Sequence, residues 1–225
     1  YFTEFDYEKH TCEPFPIPKE WRKYRTIDYG LDRLACLWFA IDSMRNVYVY
    51  REYCESNLTI ADAAKAMLER TPEDEEIYLT LAPPDMWGRS QESGRSRADM
   101  FYENGLTITK SSNDREAGWL SIKELMRKDA NGEVRLHIFS NCRELIKCLP
   151  ALIRDEKKPT DCALEPHEIT HAPDALRYFC IYWTSPSEPE KPKKVKYRAD
   201  ILEDYFNASE DEKKLIIAKY GEPEI

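Results

Sequence analysis

Glycine is scarce in this chain, seven in 225 residues, and none of the seven falls in a G-x-x-x-x-G-K-[ST] pattern, which excludes a P-loop. Long apolar runs are missing as well. No stretch approaches the roughly 20 residues needed to span a bilayer, and no charged-then-apolar leader opens the chain. The chain is therefore expected to be soluble and cytosolic, without a membrane partner. Because it starts at Tyr1 rather than methionine, it is also expected to be part of a longer polypeptide. An excess of positive charge is absent too, since the net charge is −9. Tight, nonspecific binding to nucleic acid needs a basic surface, so any such role implies weak binding by this chain alone and bound cations that offset its acids. The cysteines Cys12, Cys36, Cys54, Cys142, Cys148, Cys162 and Cys180 contain no C-x-x-C pair and are odd in number. Reduced, buried thiols in a reducing compartment are expected, and no zinc site. The histidines His10, His137, His167 and His171 are read as showing no pairing of the H-E-x-x-H type.

What is present suffices for a core, since 42% of the residues are hydrophobic. Residues 1–20 hold Pro14, Pro16 and Pro18 among aromatics and read as an extended arm or linker. Three strand patterns follow at 24–29, 34–41 and 47–53, spaced closely enough to form an antiparallel meander. Thr59 caps an alanine-rich helix running to about residue 70, and a strand at 77–81 returns parallel to the first. Beyond it come an arginine-containing loop at 88–97, a helix at 98–104, a short strand at 106–109, a helix at 114–128, a strand at 134–139 and a helix at 143–153. The last helix of this body is apolar nearly all round and is expected to begin at Pro173. The segment 185–194 breaks the composition. It divides a 21–184 domain from a 185–225 linker and helical tail, whose Lys191, Lys193, Lys194 and Lys196 read either as DNA contacts or as a solvated face.

Chemistry is carried by three acids in three settings. Asp28 ends the first strand before Tyr29-Gly30. Asp85 follows Pro83-Pro84 at the end of the fourth strand, and Asp174 sits in the first turn of the helix after Pro173. Taken singly, each reads equally as a turn or cap residue. Taken together, they can form a cage of hard oxygen ligands suited to Mg²⁺ or Mn²⁺. Two such ions about 3.5–4 Å apart clamp the attacking and leaving oxygens of a phosphodiester. His171, just before Asp174, reads as a metal ligand, a phosphate contact or a capping side chain. Arg89, Arg95 and Arg97 in the loop after Asp85, with Lys110 and Arg115, read either as phosphate contacts or as solvated turn residues.

The segments Thr26-Ile-Asp28-Tyr-Gly30, Leu81-Ala-Pro-Pro-Asp85-Met-Trp87, Gly105 to Arg115 leading into Gly118-Trp119, and His171-Ala-Pro-Asp174-Ala-Leu-Arg-Tyr178 together resemble the nuclease domain of phage large terminase subunits. That resemblance implies an α/β, ribonuclease H-like fold: a mixed central sheet, with a three-strand antiparallel meander plus parallel strands, flanked by helices. It also implies metal-dependent endonuclease cutting of concatemeric double-stranded DNA, with Asp28, Asp85 and Asp174 as metal ligands and His171 near the ions. An N-terminal packaging ATPase domain, portal and small terminase subunit are the implied partners, in the host bacterial cytoplasm. The alternatives are a junction resolvase or transposase-type nuclease of the same fold, or a noncatalytic docking domain.

Overall fold

The structure, a computed structural model, describes residues 1–30, 32–185 and 196–220. Lys191, Lys193 and Lys194 lie outside the described residues. The chain divides into two compact units, Tyr1–Thr184 and Ser185–Ile225.

Residues 1–20, expected as an arm, are built into the first unit. A short helix α1 (Tyr7–His10), capped by Asp6, leads directly into β1 (Thr11–Cys12), which pairs in parallel with residues 138–139 at one edge of the sheet. Burial of aromatic surface overrides the prolines here. Phe2 is buried with its ring 6.0 Å from that of Trp119, Phe15 lies 4.8 Å from Phe139, and His10 is buried with Nε2 3.0 Å from the Met126 carbonyl oxygen.

The meander forms as the pattern predicts: β2 (Arg22–Tyr29), β3 (Leu34–Ile41) and β4 (Val47–Glu55) pair antiparallel. All eight residues of β3 are buried, which explains its unbroken apolar run, because a central strand covered on both faces has no solvent side to alternate with. The turn into β4 is tied by Asp42, whose Oδ1 accepts the backbone N–H groups of Met44 and Asn46. Helix α2 (Ile60–Glu69), with Thr59 as its cap, crosses over to β5 (Ile77–Ala82), which lies parallel to β2 with Thr26 opposite Leu81. Parallel pairing brings the carboxyl ends of β2 and β5 to the same edge, where Asp28 and Asp85 lie.

A capping box at Ser96 opens α3 (Arg97–Glu103). The short strand that follows is β6 (Thr109–Lys110), later than the expected 106–109 and parallel to β5. Then come α4 (Arg115–Met126), β7 (Leu136–Phe139), parallel to both β4 and β1, and α5 (Arg143–Ala151). The seven strands lie in the order β1-β7-β4-β3-β2-β5-β6. This is the mixed α/β sheet that the ribonuclease H-like reading implies.

Helix α6 (His171–Thr184) lies on the sheet, buried from His171 to Ile181. Phe179 stacks on Phe39 of β3 at 4.1 Å, and Thr26 Oγ1 of β2 donates to the Ala175 carbonyl at 2.7 Å. The helix starts two residues earlier than the sequence predicts. Its first backbone bond runs from Asp174 N–H to the Thr170 carbonyl at 2.8 Å, so Pro173 occupies a first-turn position whose missing N–H has no helical partner to lose. The second unit contains α7 (Ala199–Asn207) and α8 (Glu210–Tyr220). No helix among the described residues is long and apolar enough to cross a membrane.

Candidate functional site

The carboxyl ends of β2 and β5 and the first turns of α6 bring together most of the residues singled out from the sequence. Asp28 is the penultimate residue of β2, and its side chain is held from two sides. His171 Nδ1 lies 2.9 Å from Oδ2, and the Tyr178 hydroxyl donates to Oδ1 at 3.4 Å. Since α6 starts at His171, the histidine and Asp174 are three residues apart on one helix and so share a face. Burial pushes the Asp174 carboxyl above its ordinary value, and the negative charge of Asp28 adds to the rise, while the Arg177 and Arg115 guanidinium groups oppose it. Burial likewise pushes the Tyr178 hydroxyl up, helped by the negative charges of Asp28, Asp174 and Asp85. Of the three acids, Asp28 contacts this phenol directly. Asp85 stands on a single 3-10 turn, Pro84–Trp87, and is the most open of the three. Its side chain is 59% exposed and paired with Arg97 at 3.2 Å.

Asp174 is supported, directly or through Arg177, by residues of the segment from Asn113 to Trp119. Arg177 Nε donates to Asp174 Oδ1 at 2.7 Å, and Asn113 Oδ1 accepts from Arg177 Nη2 at 3.1 Å. Asp114 caps α4 by accepting the Ala117 N–H. Arg115 Nη1 reaches Asp174 Oδ1 at 3.4 Å while Nε donates to both Asp161 oxygens, at 3.0 and 3.1 Å. Burial works against charge on Arg115, but Asp174 and Asp161 outweigh it and push its pKa up. Gly118 leaves the space that the Arg177 stem fills: a β-carbon there would stand 2.4 Å from Arg177 Cγ. Trp119 Nε1 donates to Asp161 at 2.7 Å. Both arginine contacts fall on Oδ1 of Asp174, so the carboxylate is fixed through one oxygen.

The basic residues separate into two kinds. Arg115 is turned inward and supports the acid. Arg89, Arg95, Arg97 and Lys110 are exposed, and of these Arg97 pairs with Asp85. Arg95 pairs with Glu103, Arg89 bridges to Ser96 across a closed loop, and the Lys110 ammonium lies 5.1 Å from the Trp87 ring centroid.

Two residues that sequence reasoning passed over join the site. Asp32 Oδ2 lies 3.0 Å from His171 Nε2 and 3.0 Å from His167 Nδ1. Burial disfavours charge on His171, but Asp28 and Asp32 outweigh it and raise its pKa, and the same histidines draw the Asp32 carboxyl down against its own desolvation. The reading that the histidines show no pairing of the H-E-x-x-H type is thus corrected for His167 and His171, whose rings lie 4.5 Å apart. A signal was available, because residues 167–171 read His-Glu-Ile-Thr-His, an H-E-x-x-H pattern. Gly30 also has a local reason that the sequence did not show. Its φ is not in the left-handed region, but Asp32 Oδ1 occupies the place where a β-carbon would stand.

No family model and no curated protein matches the chain. Among solved structures, it is similar to the nuclease domain of the phage P22 large terminase, at 20% identity and a TM-score of 0.63, covering 79% of this chain and 89% of that one. It is similar to the large terminase of the thermophilic bacteriophage D6E at 18% identity and a TM-score of 0.63, covering 80% of this chain but 44% of that one. The nuclease of the large terminase from thermophilic phage G20c, described with bound magnesium, matches at 12% identity and a TM-score of 0.55, covering 82% and 96%. At such identities the likeness carries the fold: the chain has the ribonuclease H-like fold of large terminase nuclease domains. It spans less than half the length of the D6E protein.

Proposed function

We propose that the chain is a divalent-metal-dependent DNA endonuclease of a phage packaging terminase, with Asp28, Asp85 and Asp174 as the metal-binding acids. The observation that supports this reading is geometric: Asp28 is held by His171 and Tyr178 of the helix that carries Asp174, and Asp85 follows the parallel strand beside the one that Asp28 ends. Repulsion between carboxylates held together at a strand edge is what a cation relieves, and an all-oxygen donor set suits Mg²⁺ or Mn²⁺. When bound, a pair of such ions would lower the pKa of an attacking water and stabilise the departing 3′ oxygen.

The chain's own residues hold and orient. Arg115 and Arg177 fix Asp174, while His171 and Tyr178 fix Asp28. Rigid support of this kind is what a reacting geometry requires. On this reading Arg97, which pairs with Asp85, and Arg89, Arg95 and Lys110 take up backbone phosphates. Concatemeric double-stranded DNA is the substrate on this reading. The N-terminal packaging ATPase, portal and small terminase subunit are the partners, and the host cytoplasm is the setting.

Plasmid nicking in Mn²⁺ or Mg²⁺ tests it. Cutting should be abolished by chelator and by Asp28→Ala, and lost in Asp85→Asn and Asp174→Asn while circular dichroism stays unchanged. An active Asp174→Asn protein would remove the third ligand from the reading. Preference for four-way junctions over linear duplex would favour a resolvase, and no cutting in any metal or DNA form would leave a docking domain.

A further inference from the structure

We propose that Asp32, His167 and His171 form a second metal site, selective for a divalent transition ion of the zinc class and distinct from the oxygen cage of the three acids. The ligand atoms of these three residues all lie within 4.8 Å of one another, and Asp32 Oδ2 sits 3.0 Å from one nitrogen of each imidazole. Ligand atoms around a tetrahedral ion with bonds of about 2.0–2.1 Å stand about 3.3 Å apart, so the two carboxylate–imidazole gaps need to open by only a few tenths of an ångström, and the two imidazole nitrogens already lie within 4.8 Å of each other.

Chemistry selects the ion. Two imidazole nitrogens and one carboxylate form a borderline donor set, suited to Zn²⁺ and its neighbours and poorly suited to Mg²⁺, which demands oxygen ligands. The histidines stand in an H-E-x-x-H pattern, although not on one continuous helix. His167 opens a 3-10 turn, His167–Ile169, and His171 begins α6, with the rings 4.5 Å apart at 85°. The third ligand comes from the segment between β2 and β3.

A separate observation points the same way. His171 presents Nε2 to the cluster while Nδ1 lies 2.9 Å from Asp28 Oδ2. A carboxylate behind the second ring nitrogen is the arrangement that orients a metal-bound histidine and fixes its tautomer, leaving the other nitrogen free to ligate. Access is open as well: the side chains of His167 and Asp32 are 57% and 55% exposed, while that of His171 is 5% exposed. An ion would have one buried ligand, His171, and two exposed ones, His167 and Asp32.

Titration of the full chain with Co²⁺, a visible stand-in for Zn²⁺, tests the site without reference to DNA cutting. The expected result is one equivalent of Co²⁺ giving a d–d absorption band that Zn²⁺ displaces and a large excess of Mg²⁺ does not. The band should be lost in His167→Ala and in Asp32→Asn, and kept in Asp85→Asn. His167 and Asp32 are exposed, so both variants should fold, with circular dichroism as the check. A band unchanged in both would overturn the proposal, as would displacement by Mg²⁺ or loss in Asp85→Asn, since the ion would then sit among the three acids. The nuclease reading stands or falls separately, because loss of nicking in Asp85→Asn leaves the Co²⁺ band untouched.

Discussion

Asp174 depends on residues that never touch it, and Gly118 shows this most sharply. Glycine inside a helix is ordinarily worse than alanine by roughly 0.5–1 kcal/mol, so exchange for alanine should stabilise α4. The structure reverses the sign: the added β-carbon would meet Arg177 Cγ at 2.4 Å and Cδ at 2.9 Å, and Arg177 is 1% exposed with nowhere to retreat. Gly118→Ala is therefore expected to cost about 1–3 kcal/mol in denaturant unfolding and to reduce nicking by moving the guanidinium that holds Asp174. A variant as stable as the parent would mean that the stem has slack. Asp161 supports the same cradle and gives it a pH signature. Burial raises its carboxyl, but Arg115, the Trp119 N–H and the Cys162 N–H outweigh that and bring it below its ordinary value of 3.8. A depressed carboxyl contributes stability that is fully present above the unfolded value and is lost as pH falls through the folded one. Stability should thus decline below about pH 4 with a component that Asp161→Asn removes, and this variant should cost about 1–3 kcal/mol at neutral pH through weakened bonds to Arg115 and Trp119. An unfolding curve whose acid limb is the same in both proteins would count against it.

At the level of elements, the parts that were legible are those whose partners lie close in the chain. The meander follows from three apolar runs separated by turns too short for a crossover, and the return of β5 beside β2 follows from the intervening helix. Where local rules failed, a tertiary contact had replaced the local one. β1 is two residues long and offers no pattern of its own, so it becomes a strand only because β7 lies beside it. The start of α6 was misplaced because Pro173 looks like a first residue, whereas the Thr170 carbonyl begins the helix. The Asp32 cluster joins positions 135 or more residues apart, although half of it was written in the spacing of His167 and His171. The seat of α6 on the sheet rests in part on one buried bond, from Thr26 Oγ1 to the Ala175 carbonyl at 2.7 Å. Thr26→Val keeps the shape and removes the donor, so it should cost about 1 kcal/mol. Amide hydrogen exchange in the first turns of α6 should speed up accordingly, and protection unchanged from the parent would show that packing alone holds the helix.

For the molecule as a whole, the question is which part carries the fold and the proposed chemistry. Among the described residues, every member of the buried apolar cluster lies between Phe2 and Cys180, and every acid and base of the candidate site between Asp28 and Arg177. In the second unit, α7 buries none of its residues. Among the described residues, the first unit thus has a hydrophobic core of its own, as a domain that folds alone requires. Net charge argues similarly about DNA. With −9 over the chain, affinity has to come from the few arginines and Lys110 and from bound cations, rather than from a basic coat. A chain ending at Thr184 is therefore expected to unfold in one cooperative step at nearly the parent's denaturant midpoint and to keep its metal-dependent nicking. Its weak DNA binding should keep the parent's dependence on salt. If the shortened chain unfolds at a clearly lower midpoint, the second unit supports the first. If it folds but stops cutting, Lys196 or the other basic residues beyond Thr184 supply the phosphate contacts assigned here to Arg89, Arg95, Arg97 and Lys110.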